Sequence, residues 1–462
     1  MYNQDDVLNT INSYYSTNRR APEVSFKEAL LKGLAPDGGL YMPCFIPKFN
    51  RGELEALSAD DYPGIAFKIL NLLTGKDIDR DDLINLCREV YNFDIVLEGV
   101  VNRNYLMRLD QGPTASFKDF AARMMGRLMQ YFLSIDSKDI TILTATSGDT
   151  GSAVANAYFG LGNIRVIILF PFDEVTELQR KQMTTLGNNI RVIAVDGKFD
   201  DCQTMVKRAF MDESLAHLRL SSANSINIGR LLPQSVYYFR GWSRLAAKSD
   251  EKVVFSVPCG NFGNLMGGII AREMGLPVKC FVIATNENDE VPVYFRTGTY
   301  NIIRPSRNCI SNAMNVGHPS NMSRIAAFYG GIMDEYGRIL KEPDMGKLRE
   351  DFFAVSVTDD ETRNAIDMCY RQFGTVLEPH GAAAWYGLQK YLDNNPVQRD
   401  GNQLCISLET AHPAKFQREL TDILKINIPL TSSMEELETK TEEYLSLENN
   451  YELFRNYILK HY

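Results

Sequence analysis

Short apolar runs rich in β-branched residues constrain this chain more than any other feature of its 462 residues. Three of them are ITILTA (140–145), RVIILF (165–170) and IRVIAV (190–195). Helical stretches such as SAVANAYFG (152–160) and CQTMVKRAF (202–210) follow or separate them, and VVFSV (253–257) and KCFVIAT (279–285) flank NLMGGIIAREMG (264–275). Strands that alternate with helices imply parallel sheets covered on both faces. Helical sequence near 226–248 separates the two groups, which predicts two α/β domains with a cleft between them. The length agrees, since single cores stop growing at roughly 250–300 residues. Residues 1–97 read mostly as helices interrupted by the turn-rich APDGGLYMP (35–43), and the end, 432–462, reads as a docked or solvated helix pair.

Charge and cysteine usage narrow the function classes. A net charge of −9 argues against an electrostatic nucleic-acid binder while leaving room for a local basic pocket for a small anion. The eight cysteines are scattered, with no C-x-x-C pair and no Cys/His cluster, so neither a metal site nor a disulfide framework is expected. Buried free thiols in a reducing compartment are the simpler reading. The polar start MYNQDDVLNTINSYY lacks the basic and apolar segments of a signal peptide. No run approaches the ~20 apolar residues of a membrane span. A cytoplasmic protein without nucleic-acid or membrane partners is expected.

Five stretches are candidates for chemistry. In GPTASFKDF, Lys118 stands at the mouth of a helix whose apolar face is Phe117, Ala121, Met124, Met125, Leu128 and Phe132. Ser116 reads as the N-cap, answered by Asp119 in a short capping box. The positive end of the helix disfavours an ammonium, so a partly desolvated lysine there loses its proton more easily, as Schiff-base chemistry requires. A surface lysine beside a capping aspartate fits the same letters. In ILTATSGDTGSA, a buried strand runs into small residues and then a helix, which makes an anion site or a capped turn. SVPCGNFGNLMGG repeats that design, but its glycines (260, 263, 267, 268) are out of register for the dinucleotide fingerprint G-x-G-x-x-G, and a monophosphate cup fits better. In NSINIGRLLPQ, Asn224, Asn227 and Arg230 recur at three-residue spacing and either share a phosphate-binding helix face or form a solvated one. In LCISLETAHPAKF, a strand end points Thr410 into the cleft or turns before a helix.

Together these stretches, with GKFDDCQ, FVIATNENDEVPVYF and EPHGAAA, resemble the threonine synthase family in order and spacing over roughly residues 5–425. The resemblance implies a pyridoxal-phosphate fold of type II with the cofactor in the cleft. It implies a helical N-terminal domain (1–97), a large cofactor-binding domain (98–132 and 246–430), a small domain (133–245) and a C-terminal helical tail (431–462). Lys118 would be the Schiff-base lysine and proton shuttle. Gly260, Asn261, Phe262, Gly263 and Asn264 would hold the cofactor phosphate, Thr410 would face the pyridine nitrogen, and Asp149 would lie near the ring hydroxyl. Ser147 and Thr150 would receive the carboxylate of O-phospho-L-homoserine, and Asn224 and Arg230 its phosphate. Conversion of that substrate and water to L-threonine and phosphate, by a monomer or homodimer, is the implied activity. Three positions depart from the family pattern, where His often replaces Gln111, Ser replaces Cys259 and glycine replaces Glu409.

Overall fold

The computed structural model describes residues 13–462; residues 1–12, on which most of the polar-start reading rests, lie outside the described residues. Two sheets dominate. The larger has six strands in the order Phe352–Ser356, Val278–Thr285, Val253–Pro258, Leu404–Glu409, Asn104–Arg108, Val96–Val101. Every pairing is parallel except the last, an antiparallel edge. The smaller has five parallel strands in the order Leu445–Glu448, Ile190–Asp196, Ile164–Pro171, Ile140–Ala145, Leu220–Ser221. Central strands such as Ile140–Ala145 and Val253–Pro258 are buried along their whole length. That is why they read as unbroken apolar runs and not as alternating ones.

The helix Lys118–Asp136 follows the strand Asn104–Arg108 and packs lengthwise on the helix Asp149–Tyr158. Its buried face comprises Phe120, Met124, Met125, Leu128 and Phe132. Burial of each such side chain is worth roughly 1.5–3 kcal/mol. This fixes the direction in which the first turn, and Lys118 with it, points.

Two regions hold more strand than the sequence suggested. The mainly helical N-terminal region also carries a three-stranded antiparallel sheet, Ser13–Ser16, Val24–Ser25 and Tyr41–Pro43. The tail does not consist of helices alone: between the helices Ser432–Glu438 and Tyr451–His461, the strand Leu445–Glu448 adds the edge of the small sheet. Phe454 is fully buried against that sheet's core. The four strand residues alternate half-buried and exposed, too weak a pattern to stand out from charged sequence. No helix among the described residues is long and apolar enough to cross a membrane.

Candidate active site

One cleft gathers Lys118, Ser147, Asp149, Thr150, Asn224, Arg230, the turn 260–264 and Thr410 on its walls. All twelve residues to which the resemblance gives a role therefore line one cleft, whereas Asn227 does not. Ser225, Gln234, Met314 and His380 also line it.

The turn ahead of Lys118 is closed differently from the expected capping box. Ser116 Oγ is buried without a hydrogen-bond partner. Asp119 instead reaches back to Thr114, accepting from its N–H at 2.8 Å and its hydroxyl at 2.6 Å. Ser116 is drawn into a bridge with Ala411, and Phe117 N donates to Thr410 O at 2.9 Å. These two contacts seat Lys118 beside the end of the strand Leu404–Glu409. Its side chain is 12% exposed, and its Nζ lies 3.6 Å from Asp149 Oδ2. Burial pushes the Lys118 ammonium below the ordinary lysine range; Asp149 pulls the other way, Lys415 and Arg230 reinforce burial, and Glu378 opposes it.

The TATSGDTG turn is built around Thr146, whose Oγ1 accepts from Gly148 N at 3.0 Å and Gly151 N at 2.7 Å. Gly148 has φ +123°, and a Cβ there would meet Gln179 Oε1 at 2.4 Å, so a side chain fits neither the backbone nor the space. Among the described residues, the Ser147 and Thr150 hydroxyls make no hydrogen bond within the protein. Asp149 is 2% exposed and accepts from Gln179 Nε2 at 3.0 Å and Lys415 Nζ at 2.8 Å. Burial alone would push this carboxyl up, but Lys415 and then Lys118 more than offset it and hold it well below the usual carboxylate range.

In the third turn, Phe262 takes left-handed backbone (φ +61°) immediately before the helix Gly263–Glu273. Phe262 does not cap that helix and Asn264 Oδ1 takes the N–H of Leu265 at 3.0 Å, so among the described residues the N–H groups of Gly263 and Asn264 are left without partners at the cleft wall. Gly263 has no room for a side chain, since a Cβ would meet Ser225 Cβ at 2.9 Å. Asn264 does not aim its amide at the cleft; Nδ2 donates to Pro258 O at 2.8 Å and pins the turn. Asn261 Oδ1 similarly accepts from Ser320 Oγ at 3.1 Å.

Asn224, Asn227 and Arg230 do not share a helix face. The helix begins only at Ile228, with Asn227 as its N-cap: Oδ1 accepts from Gly229 N at 2.9 Å, and Nδ2 donates to Leu30 O at 2.8 Å. Asn227 therefore shapes the turn. Asn224 donates to Ala145 O at 2.9 Å and stays on the wall. Arg230 is 3% exposed and donates from Nη1 to Ala223 O at 2.7 Å. Its Nε has no partner, and it forms no ion pair among the described residues. Burial pushes its guanidinium down to about 10, so it stays charged near neutrality.

Thr410 is 4% exposed, and its hydroxyl donates to Glu378 Oε1 at 3.1 Å. Glu378 also accepts from His380 N and Gly381 N, and its Oε2 meets His380 Nδ1 at 2.5 Å. Beneath it lies Glu409, fully buried, with Oε1 accepting from Glu378 N at 2.6 Å. Burial and then the neighbouring Glu378 push the Glu409 carboxyl far up, with Arg108 opposing them. Glu378, His380, Gln179 and Lys415 were not singled out from the sequence, although EPHGAAA and TAHPAKF contain three of them. Elsewhere, Glu287, Cys309 and Asp359 bring three ligating atoms within 4.8 Å of one another, where Asp359 accepts from Ile310 N at 3.1 Å.

A buried lysine, an uncapped helix start and a buried guanidinium without an ion pair line one cleft, a set of donors that fits pyridoxal phosphate. Comparisons with known proteins agree. The family described as pyridoxal-phosphate dependent enzyme matches residues 97–408, threonine synthase N terminus matches 13–91, and threonine synthase, C-terminal, matches 387–458. The threonine synthase of Buchnera aphidicola subsp. Acyrthosiphon pisum is 38% identical over 91% of this chain and 93% of its own. The threonine synthase structure from Escherichia coli superposes with a TM-score of 0.88 at 35% identity, covering 97% of this chain and 100% of that one. A pyridoxal-phosphate-bound threonine synthase from Brucella melitensis gives 0.87 at 34% identity, covering 97% and 99%. The chain belongs to the threonine synthase family of pyridoxal-phosphate dependent enzymes.

Proposed function

We propose that this enzyme converts O-phospho-L-homoserine and water to L-threonine and phosphate. The observation that carries the reading is Arg230, a charged guanidinium buried in the cofactor cleft with its Nε unpaired. A buried charge without a partner is costly, and a bound anion relieves that cost. The cofactor phosphate already has the turn 260–264, so a second phosphate on the substrate suits Arg230 and Asn224. The free hydroxyls of Ser147 and Thr150 suit the substrate carboxylate.

Lys118 Nζ anchors the cofactor. When bound, pyridoxal phosphate supplies an electron sink for a negative charge at the substrate Cα. Lys118 Nζ would lie within reach of the substrate Cα, where it would take a proton and later return one, its amine form favoured by burial. Asp149 restrains Nζ within the cleft, and the turn from Gly260 to Asn264 would hold the cofactor phosphate. Thr410 closes the floor, its own proton directed to Glu378. The cleft lies between a large unit (98–132 and 246–430) and a small one (133–245). The enzyme acts in the cytoplasm as a monomer or homodimer.

The test is incubation of the purified protein with O-phospho-L-homoserine, following phosphate and threonine together. Equal release of the two is expected. Phosphate without threonine, or ammonia and a keto acid from serine or threonine instead, would replace this reading with that of a related lyase.

A further inference from the structure

Lys415 takes no part in the activity proposed above, yet it is the most completely buried lysine at the site. Its side chain is 0% exposed, on the turn Pro413–Phe416 that follows the strand Leu404–Glu409. Nζ donates to Asp149 Oδ1 at 2.8 Å, its one hydrogen bond among the described residues. Asp149 stands across the cleft, at the start of the helix Asp149–Tyr158. Its other oxygen faces Lys118 Nζ at 3.6 Å. Two ammonium groups thus share one carboxylate, and the nearer oxygen belongs to the lysine that does not line the cleft.

Burying a lysine is costly even when it is paired, because the attraction need not repay the lost hydration, so a second buried lysine here calls for an account beyond packing. The charged groups facing Lys118 are Asp149, Lys415, Arg230 and Glu378. Without Lys415, Asp149 would be free to close on Lys118 as a simple ion pair, which favours the ammonium. An ammonium is neither a nucleophile nor a base.

We propose that Lys415 is a positioning residue for Lys118: it claims one oxygen of Asp149, so that the carboxylate restrains Lys118 Nζ without neutralising it. The inference rests on the cofactor being anchored at Lys118. It assigns Asp149 a divided role, orienting one lysine while compensating the other.

The experiment is a spectrophotometric pH titration of the holoenzyme, in which the visible band of the bound cofactor reports the proton on Lys118 Nζ. Lys415→Met is expected to move the midpoint to higher pH by about one unit or more. Lys415→Arg, which keeps the charge, should hold it near the wild-type value. If Lys415→Met fails to fold, Asp149→Asn answers the same question, because loss of the carboxylate should move the midpoint to lower pH. An unchanged midpoint in a folded Lys415→Met or in Asp149→Asn overturns the proposal. Borohydride reduction and peptide mass analysis of the wild type keep the two readings apart. A cofactor absent from Lys118 defeats the functional reading, whereas a cofactor on Lys118 with an immovable midpoint defeats only this one.

Discussion

Lys118 and Arg230 are both cations made less comfortable by burial, and the difference between them is what each is offered in return. Lys118 has a carboxylate 3.6 Å away and can shed its proton; Arg230 has one carbonyl for Nη1 and stays charged. Lys118→Ala is expected to abolish turnover, and borohydride reduction of the variant should leave no peptide carrying the cofactor. A reducible linkage that persists would place the anchor elsewhere. Arg230→Ala should spare cofactor binding and raise KM for the phosphorylated substrate. A charge-assisted bond to phosphate is worth roughly 1.5–3 kcal/mol, so kcat/KM should fall about ten- to hundredfold. An unchanged kcat/KM would move the substrate phosphate off Arg230. At this scale the sequence was legible where a residue's role is local. Lys118 and the turn 260–264 are marked as candidates within a few letters, by a helix mouth or a run of small residues, although a surface lysine and a plain turn fit those letters too until the order of all the motifs is read together. Lys415 does not, because its meaning lies in a contact with a residue 266 positions away. Glu378 and His380 were hidden for the same reason, since what they do depends on Thr410 and Ala313.

Among the elements, the strands read correctly were those with both faces covered, where burial forces a continuous apolar run. ITILTA was placed to the residue. Val96–Val101, an edge strand with no fully buried residue, and Asn104–Arg108, whose ends are polar, carried no such signature. The turn 224–230 shows how spacing misleads. Three-residue intervals suggested one helix face, but an asparagine competes for backbone hydrogen bonds and favours a cap over a helix interior. Asn227 does this here, and Arg230 reaches the cleft because that cap starts the helix at Ile228. Asn227→Ala removes the cap to Gly229 and strands the carbonyls of Leu30 and Ser222. A loss of about 2 kcal/mol is expected, read as a lower denaturant midpoint. KM for the substrate should rise as well, with cofactor content unchanged. Asn227→Asp keeps the accepting oxygen and should lose less. If Asn227→Ala shifted only stability and left KM untouched, the turn would place Arg230 without help from its cap.

Across the whole molecule, separate parts of the chain are tied to the site by buried charge. Arg324, fully buried, donates to Tyr41 O at 3.1 Å in the N-terminal region and to Ser225 O and Ile226 O, both at 2.7 Å, beside the cleft. Glu290 is the opposite case, a buried charge-bearing group with no tie. It opens the helix Glu290–Thr297 within the NENDE motif, is 2% exposed, and both of its carboxyl oxygens lack partners. Burial pushes its carboxyl from 4.5 up to about 8, with Asp289 adding to the shift. The native protein therefore holds this proton through neutrality, whereas the unfolded chain releases it near the ordinary glutamate value. Between those two values the native state binds more protons, so the stability attached to Glu290 is present below the lower one and is lost as pH rises through the upper one. A neutral amide of the same shape has no such proton to lose. Glu290→Gln should match the wild type in thermal midpoint near about pH 5 and exceed it by a widening margin toward about pH 8.5. Melting curves of both proteins across that window decide the matter. Parallel pH profiles would mean that Glu290 titrates as an ordinary carboxylate and finds in solution a partner for its charge.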